Sequence, residues 1–242
     1  MMIRPALPKI SVALSLLLFS AAWPGLAQAQ TRGQVAPSAT VPGQVQPRSP
    51  QAPAKPDASP SPDDARLVAL RQSVTASISK VLDRIQGEEA QLYRRLSYFQ
   101  KPERLDPNSY ASVDEVQDWQ KLLQQLHDKG DLVASLYANA GKNLDAELTN
   151  ARVNVEIAQR VRQMVLDGFP WETIQKKNRC FQQYVDAHGK LLAFYEKNWG
   201  AWDAGQPLKF KTGQLAGAYQ KIKDQVVSAG KELDQQYKAM AE

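Results

Sequence analysis

Few side chains in this chain are of the kinds that do chemistry. They are the adjacent carboxylates Glu88 and Glu89, the histidines His127 and His188, and the single cysteine Cys180. Adjacent carboxylates can divide acid and base roles. These two interrupt an apolar stripe and read as a solvated pair. Metal sites in helix bundles use Glu-x-x-His pairs, but position 124 is Gln and position 185 is Val. Two histidines and one cysteine make a nitrogen- and sulfur-ligated site a poor expectation. There is no C-x-x-C-H, G-x-S-x-G, P-loop or G-x-G-x-x-G pattern. No catalytic residue, metal ligand or cofactor-binding residue is therefore expected, and the chain reads as non-enzymatic. His188 is expected as a buried neutral imidazole hydrogen-bonded to a neighbour, and His127 as exposed. Cys180 is expected as a buried thiol, with no intramolecular disulfide open to it. The basic group Lys176, Lys177 and Arg179 reads as a solvated helix face.

Trp199 and Trp202, in "KNWGAWDAGQP" (197–207), are the remaining candidates for ligand contact. They continue a stripe of Trp171, Ile174, Asn178, Phe181, Val185, His188, Leu192 and Tyr195 in steps of three and four, the period of one helix face. Both are expected in the core. They become ligand-stacking residues only if that end of the bundle is open. Asn178 reads as a polar residue that sets register.

Four helices position these residues. The first follows "SPDD", with Asp63 or Asp64 as cap, and carries Leu67, Leu70, Val74, Ile78, Val81, Ile85, Leu92, Leu96 and Phe99 up to Pro102. The second opens on a capping box of Ser112 and Glu115 and runs unbroken across Gly130 to "DGFP" (167–170). A stutter at 140–144–148 is expected to unwind any supercoil locally. The third starts at Pro170 and the fourth after Thr212. No segment shows strand alternation with hairpin chemistry. The expected fold is all-α: an elongated antiparallel bundle of about four helices with a coiled-coil-like hairpin extension. In that arrangement the third and fourth helices pack around the C-terminal part of the second. The first helix and the start of the second form a thin hairpin ending at 101–112.

The N-terminal residues read differently. Arg4 and Lys9, the apolar run 10–23 and the A-x-A of Ala27 and Ala29 form a cleavable signal peptide over 1–29. Residues 30–62 hold eight prolines and no aromatic residue, and are expected to be a disordered Pro/Gln/Ala/Ser-rich tail before a bundle domain at 63–242. Such a chain is periplasmic or secreted, with no stable membrane span after cleavage. The formal charge of +5 misleads. Arg4, Lys9, Arg32, Arg48, Lys55 and Asp57 precede residue 63, which leaves 25 basic against 24 acidic residues in the bundle. Nucleic acid is not an expected partner.

One loop stands out as a contact candidate. "KPERLDPNSYAS" (101–112) is long for a bundle connection and holds two prolines. Arg104, Leu105, Asp106 and Tyr110 would offer charge and apolar anchors to a partner if the loop projects. If it folds back, Leu105 and Tyr110 close the hairpin end. The expected function is binding of another protein or an envelope component, with oligomeric state open. The alternative is a small-molecule or lipid-binding bundle using the aromatics of the third and fourth helices.

Overall fold

The structure, a computed structural model, describes residues 61–205 and 207–241. The signal peptide and nearly all of the Pro-rich tail lie outside the described residues. Those described form an all-α bundle of six helices: α1 (Pro62–Phe99), α2 (Val113–Ala138), α3 (Ala140–Asn150), α4 (Val155–Asp167), α5 (Trp171–Lys197) and α6 (Gly213–Ala241). Two short 3-10 turns, Pro102–Leu105 and Pro107–Ser109, link α1 to α2. A two-residue strand pair, β1 (Trp202–Asp203) and β2 (Lys209–Phe210), lies between α5 and α6.

Local sequence explains the helix starts. Ser61, not Asp63 or Asp64, caps α1: its hydroxyl accepts from the Asp64 amide, the Asp64 carboxylate accepts from the Ser61 amide, and Pro62 sits at the first helical position. Ser112 caps α2 by accepting from the Glu115 amide, while the Glu115 carboxylate reaches back to the Ala111 amide at 2.7 Å. Thr212 accepts from the Leu215 amide at the start of α6.

The expected long second helix is three helices. It does run through Gly130, because the Phe181 ring of α5 lies on that glycine; a Cβ there would stand 2.2 Å from the ring. It kinks at Asn139, whose side-chain amide donates to the Ser135 carbonyl and competes with the backbone ladder. It reverses after Asn150. There the Val153 amide donates to the Leu148 carbonyl and the Arg152 amide to that of Thr149, with Arg152 left-handed at φ 56°. This is a Schellman turn, closed by the buried pair Leu148 and Val153. Asn154 then caps α4, accepting from the Glu156 amide.

That reversal corrects the expected packing. α4 returns along α3, tied by Arg162 to Asp145 at 3.3 Å. α5 therefore begins midway and runs back along α2, not around the C-terminal part of the segment. Glu196 near the end of α5 accepts from Gln117 and Gln120 near the start of α2. α6 turns back along α5, with Tyr219 beside Tyr195 and Gly230 beside Tyr184. It meets α1 through Gln100–Asp234 and Tyr93–Tyr237. α1, α2, α5 and α6 so close a four-helix end of alternating direction. The N-terminal half of α1, with α3 and α4, makes the thinner end, where Lys80 pairs with Glu147 at 2.8 Å.

The Gly130 contact yields a first prediction. Alanine gains about 1 kcal/mol of helix propensity over glycine, but overpacking a filled core costs about 1–3 kcal/mol. Phe181 is buried and cannot swing clear. Gly130→Ala should lower stability in denaturant unfolding, and Phe181→Leu in the same chain should restore part of the loss.

Candidate functional site

Glu88 and Glu89 are not a solvated pair. Glu89 is 2 % exposed and salt-bridged to Lys177, itself 3 % exposed and not on a solvated face. Glu88 pairs with Lys129 of α2, which also donates to Gln91 at 2.9 Å. The Lys177 ammonium lies 5.4 Å from the centroid of the Tyr137 ring. The Tyr93 and Tyr237 rings meet edge to face at 4.4 Å nearby. Burial, then the Glu89 charge, pushes the Tyr137 phenol well above its ordinary range. Burial, with Tyr237 and then Glu89 beside it, does the same for Tyr93. The hydroxyls remain protonated. The buried Glu89, Lys177 and Tyr137, with the half-buried Tyr93 and Tyr237, form a polar centre joining α1, α2, α5 and α6. Asn178 is half-buried beside Lys177 on α5.

A second polar group lies inside the end formed by 101–112. Tyr110 is buried, while Arg104, Leu105 and Asp106 are half-buried, so the loop caps the thick aromatic end and does not project from a thin one. The Tyr219 hydroxyl donates to the Leu105 carbonyl at 2.6 Å, and the Tyr110 hydroxyl to that of Arg104 at 3.2 Å. Asp106 accepts from the Asn108 amide, and the Asn108 side chain donates to the Gly205 carbonyl, joining this loop to the α5–α6 connection. The Arg104 guanidinium stacks 4.0 Å from the Trp119 ring centroid and 5.3 Å from that of Tyr110. Burial pushes the Tyr110 phenol up to about 12.

His188 sits deeper in the same end, between Phe99 at 5.3 Å and Tyr184 at 5.6 Å. It is buried, as expected, but neither ring nitrogen has a hydrogen-bond partner, so the expected hydrogen bond to a neighbour is not made. Burial first, then the Arg104 charge, lowers its pKa to about 4 and keeps it neutral. His127 is half-buried beside Asp131 at 3.3 Å. Cys180 is buried, and burial pushes its thiol up. Among the described residues, no group of three or more His, Cys, Asp or Glu is placed to hold a metal.

The tryptophan seam stops short. α5 ends at Lys197, where the Asn198 side chain donates back to the Phe194 carbonyl. Gly200, at φ 75°, takes the chain out of the helix. Trp202 therefore lies in β1, half-buried against Tyr195 and Phe210, and Trp199 is 37 % exposed with its ring edge-on to Trp202 at 5.3 Å. The end is filled by rings: Phe194 lies 6.0–6.4 Å from Tyr195, Phe210 and Tyr219, and Tyr219 lies 6.3 Å from Tyr195 and 4.9 Å from Phe210.

The sequence reading passed over the apolar start of α1 as a contact surface. Residues 61–69 are all exposed, with Leu67 at 38 % and Val68 at 50 %, although the same stripe is buried from Ser77 and Ile78 onward. A shallow groove lined by Val68, Arg71, Gln72, Thr75 and Ala76 runs beside it. The signal lay in stripe length: the apolar stripe of α1 starts at Leu67, ahead of Leu70 and Val74, the first of its residues to pack against the core.

Two predictions follow from these centres. Removing one partner of a buried ion pair costs about 3–5 kcal/mol, whereas replacing both with apolar residues is near neutral. Glu89→Leu and Lys177→Met should each destabilise strongly in urea unfolding, and the double variant should be more stable than either. For His188, the unfolded chain takes up the proton near pH 6.5 and the folded one near 4. Stability is full above pH 6.5 and falls by about 3 kcal/mol down to pH 4. His188→Phe should remove that part of the pH slope. Compared with family models, curated proteins and solved structures, the chain matches none.

Proposed function

We propose that this chain is an exported, non-enzymatic helical bundle that binds another protein or an envelope component through the first turns of α1. The observation that carries the reading is the exposed apolar pair Leu67 and Val68 in the first turns of α1, ahead of Leu70 and Val74, where the stripe begins to pack against the core. An amphipathic helix with an uncovered apolar face is a common recognition element. The ionisable groups support the non-enzymatic reading: Glu89 and Lys177 neutralise each other in a dry core, and His188 is walled by rings. Export rests on the basic, apolar and A-x-A order of residues 4–29. Among the described residues, no helix is long and apolar enough to cross a membrane.

The loop 101–112 is a weaker contact candidate, because Arg104 and Tyr110 are engaged in closing the bundle. Small-molecule or lipid binding at the aromatic end draws support from one feature, the exposed Trp199 ring.

The test is a photo-crosslinking residue at position 67 in the native host. It should give an adduct of higher mass, and Leu67→Glu with Val68→Glu should abolish association. Both side chains are substantially exposed, so stability should move by no more than about 0.5 kcal/mol. Association that survives both charges places the contact elsewhere.

A further inference from the structure

We infer that the loop 101–112 closes over a site for one small monovalent anion, held by the Arg104 guanidinium and the His188 imidazole. The site is separate from the start of α1 and does not depend on a partner binding there. Three features point to it.

The first is unmet hydrogen-bonding capacity. Nε and Nη1 of Arg104 and both ring nitrogens of His188 are buried without a hydrogen-bond partner. His188 is 0 % exposed. Buried polar groups in folded proteins are nearly always hydrogen-bonded, and a group that is not calls for a reason such as a bound ion or a catalytic role. Here four such atoms come from two side chains in the same end of the bundle, and the Arg104 charge bears on the imidazole.

The second is sign. Guanidinium nitrogens only donate, and a neutral imidazole donates through one nitrogen. Among the described residues, no carboxylate pairs with Arg104. The two acidic side chains of this region are engaged with the backbone: Asp106 accepts from the Asn108 amide and Glu115 from the Ala111 amide. The ring faces of Trp119 and Tyr110 offset part of the Arg104 charge but supply no in-plane acceptor. A water molecule would meet the donors and leave the charge uncompensated. A cation would meet donors alone. An anion answers both the donors and the charge.

The third is size. The walls are rings: Phe99 lies 5.3 Å from both His188 and Trp119, and Tyr184 lies 5.6 Å from His188. Walls this close admit a halide or a one-carbon carboxylate and exclude larger acids. The loop above them is tied down by Tyr219 to the Leu105 carbonyl and by Asn108 to that of Gly205, which keeps bulk water from competing for the donors.

The experiment uses the purified full chain in sodium gluconate, whose anion is too large for these walls. Sodium chloride or sodium formate then replaces it stepwise at constant ionic strength, so that general screening stays fixed. The chain has two histidines, and His127, half-buried beside Asp131, serves as the internal control. The ring NMR resonances of His188 should shift saturably with chloride, formate or both, and those of His127 should not. The urea unfolding midpoint should rise over the same concentrations. The two arms separate an inorganic ion from a carboxylate as the occupant. Arg104→Met keeps an apolar stem against Trp119 and should weaken the response at least about tenfold, while Arg104→Lys, which keeps the charge, should retain part of it. Crystals of the unaltered chain soaked in bromide give a check that needs no variant: an anomalous peak should lie between Arg104 and His188. The proposal is overturned by His188 resonances that move with neither anion, by equal shifts at both histidines, by a response that survives Arg104→Met, or by bromide that binds elsewhere and not at this end.

Discussion

The turn at Leu148–Val153 decides what kind of bundle this chain makes. Without it, the segment from Val113 to Asp167 would run as one helix about 80 Å long, and α5 and α6 would pack at its far end. With it, α4 doubles back, α5 starts level with the junction of α2 and α3, and α6 can reach α1. The turn is held by two backbone hydrogen bonds and one apolar pair, Leu148 and Val153. It carries arginine at the left-handed position, where glycine is usual. The cost of that conformation, about 1 kcal/mol, is offset by satisfying the last carbonyls of α3 and burying Val153.

Once four helices meet, their register must be chosen among several similar apolar seams. The Glu89–Lys177 pair makes that choice. A slip of one helix turn would bury each charge alone, and an uncompensated buried charge costs several kcal/mol. The Glu88–Lys129 pair adds the same condition between α1 and α2. Tyr137, itself buried, places its ring face against the Lys177 ammonium and its hydroxyl against Glu89. Electrostatics here acts on specificity, while stability comes from the leucine, valine and aromatic seams.

Much of this was legible in the residues. Steps of three and four located every helical stretch, and Ser112, Thr212, Pro102 and Pro170 marked boundaries for local steric and hydrogen-bonding reasons. Gly130 was correctly read as helical because the stripe holds register across it. The reversal was hidden because no glycine announces it: Arg152 is an ordinary helix former in an ordinary helical context. The buried centre was hidden for a related reason. Glu89 and Lys177 lie 88 positions apart, and each alone resembles a surface residue; only the tertiary fold makes them partners. Trp199 and Trp202 matched the seam by spacing, but the period does not show where a helix stops, and Gly200 with the Asn198 cap stops it first. Of the candidate contact residues, Tyr110 and Leu105 were foreseeable as end-closing groups; Arg104 stacked between rings was not.

The two ends of the molecule solve the same problem in opposite ways. Helix ends leave backbone groups and apolar side chains without neighbours. At the thick end the chain supplies its own cover: the 101–112 loop, the strand pair and a cluster of rings, joined by Tyr219 to Leu105 and Asn108 to Gly205. Both segments that close it are built on turns with fixed geometry, Pro102 and Pro107 on one side, Gly200 and Gly205 on the other. At the thin end α1 starts ahead of the core: Leu67 and Val68 are exposed, and Leu70 and Val74 are the first of its stripe to pack. The sequence nevertheless keeps these positions apolar and caps the helix beyond them with a complete capping box. A cap and two turns order residues 61–69, all of them exposed, at about 1–2 kcal/mol of backbone entropy per residue. That cost, spent on a helix start bearing exposed Leu67 and Val68, is the reason for proposing contact at this end and not at the aromatic one.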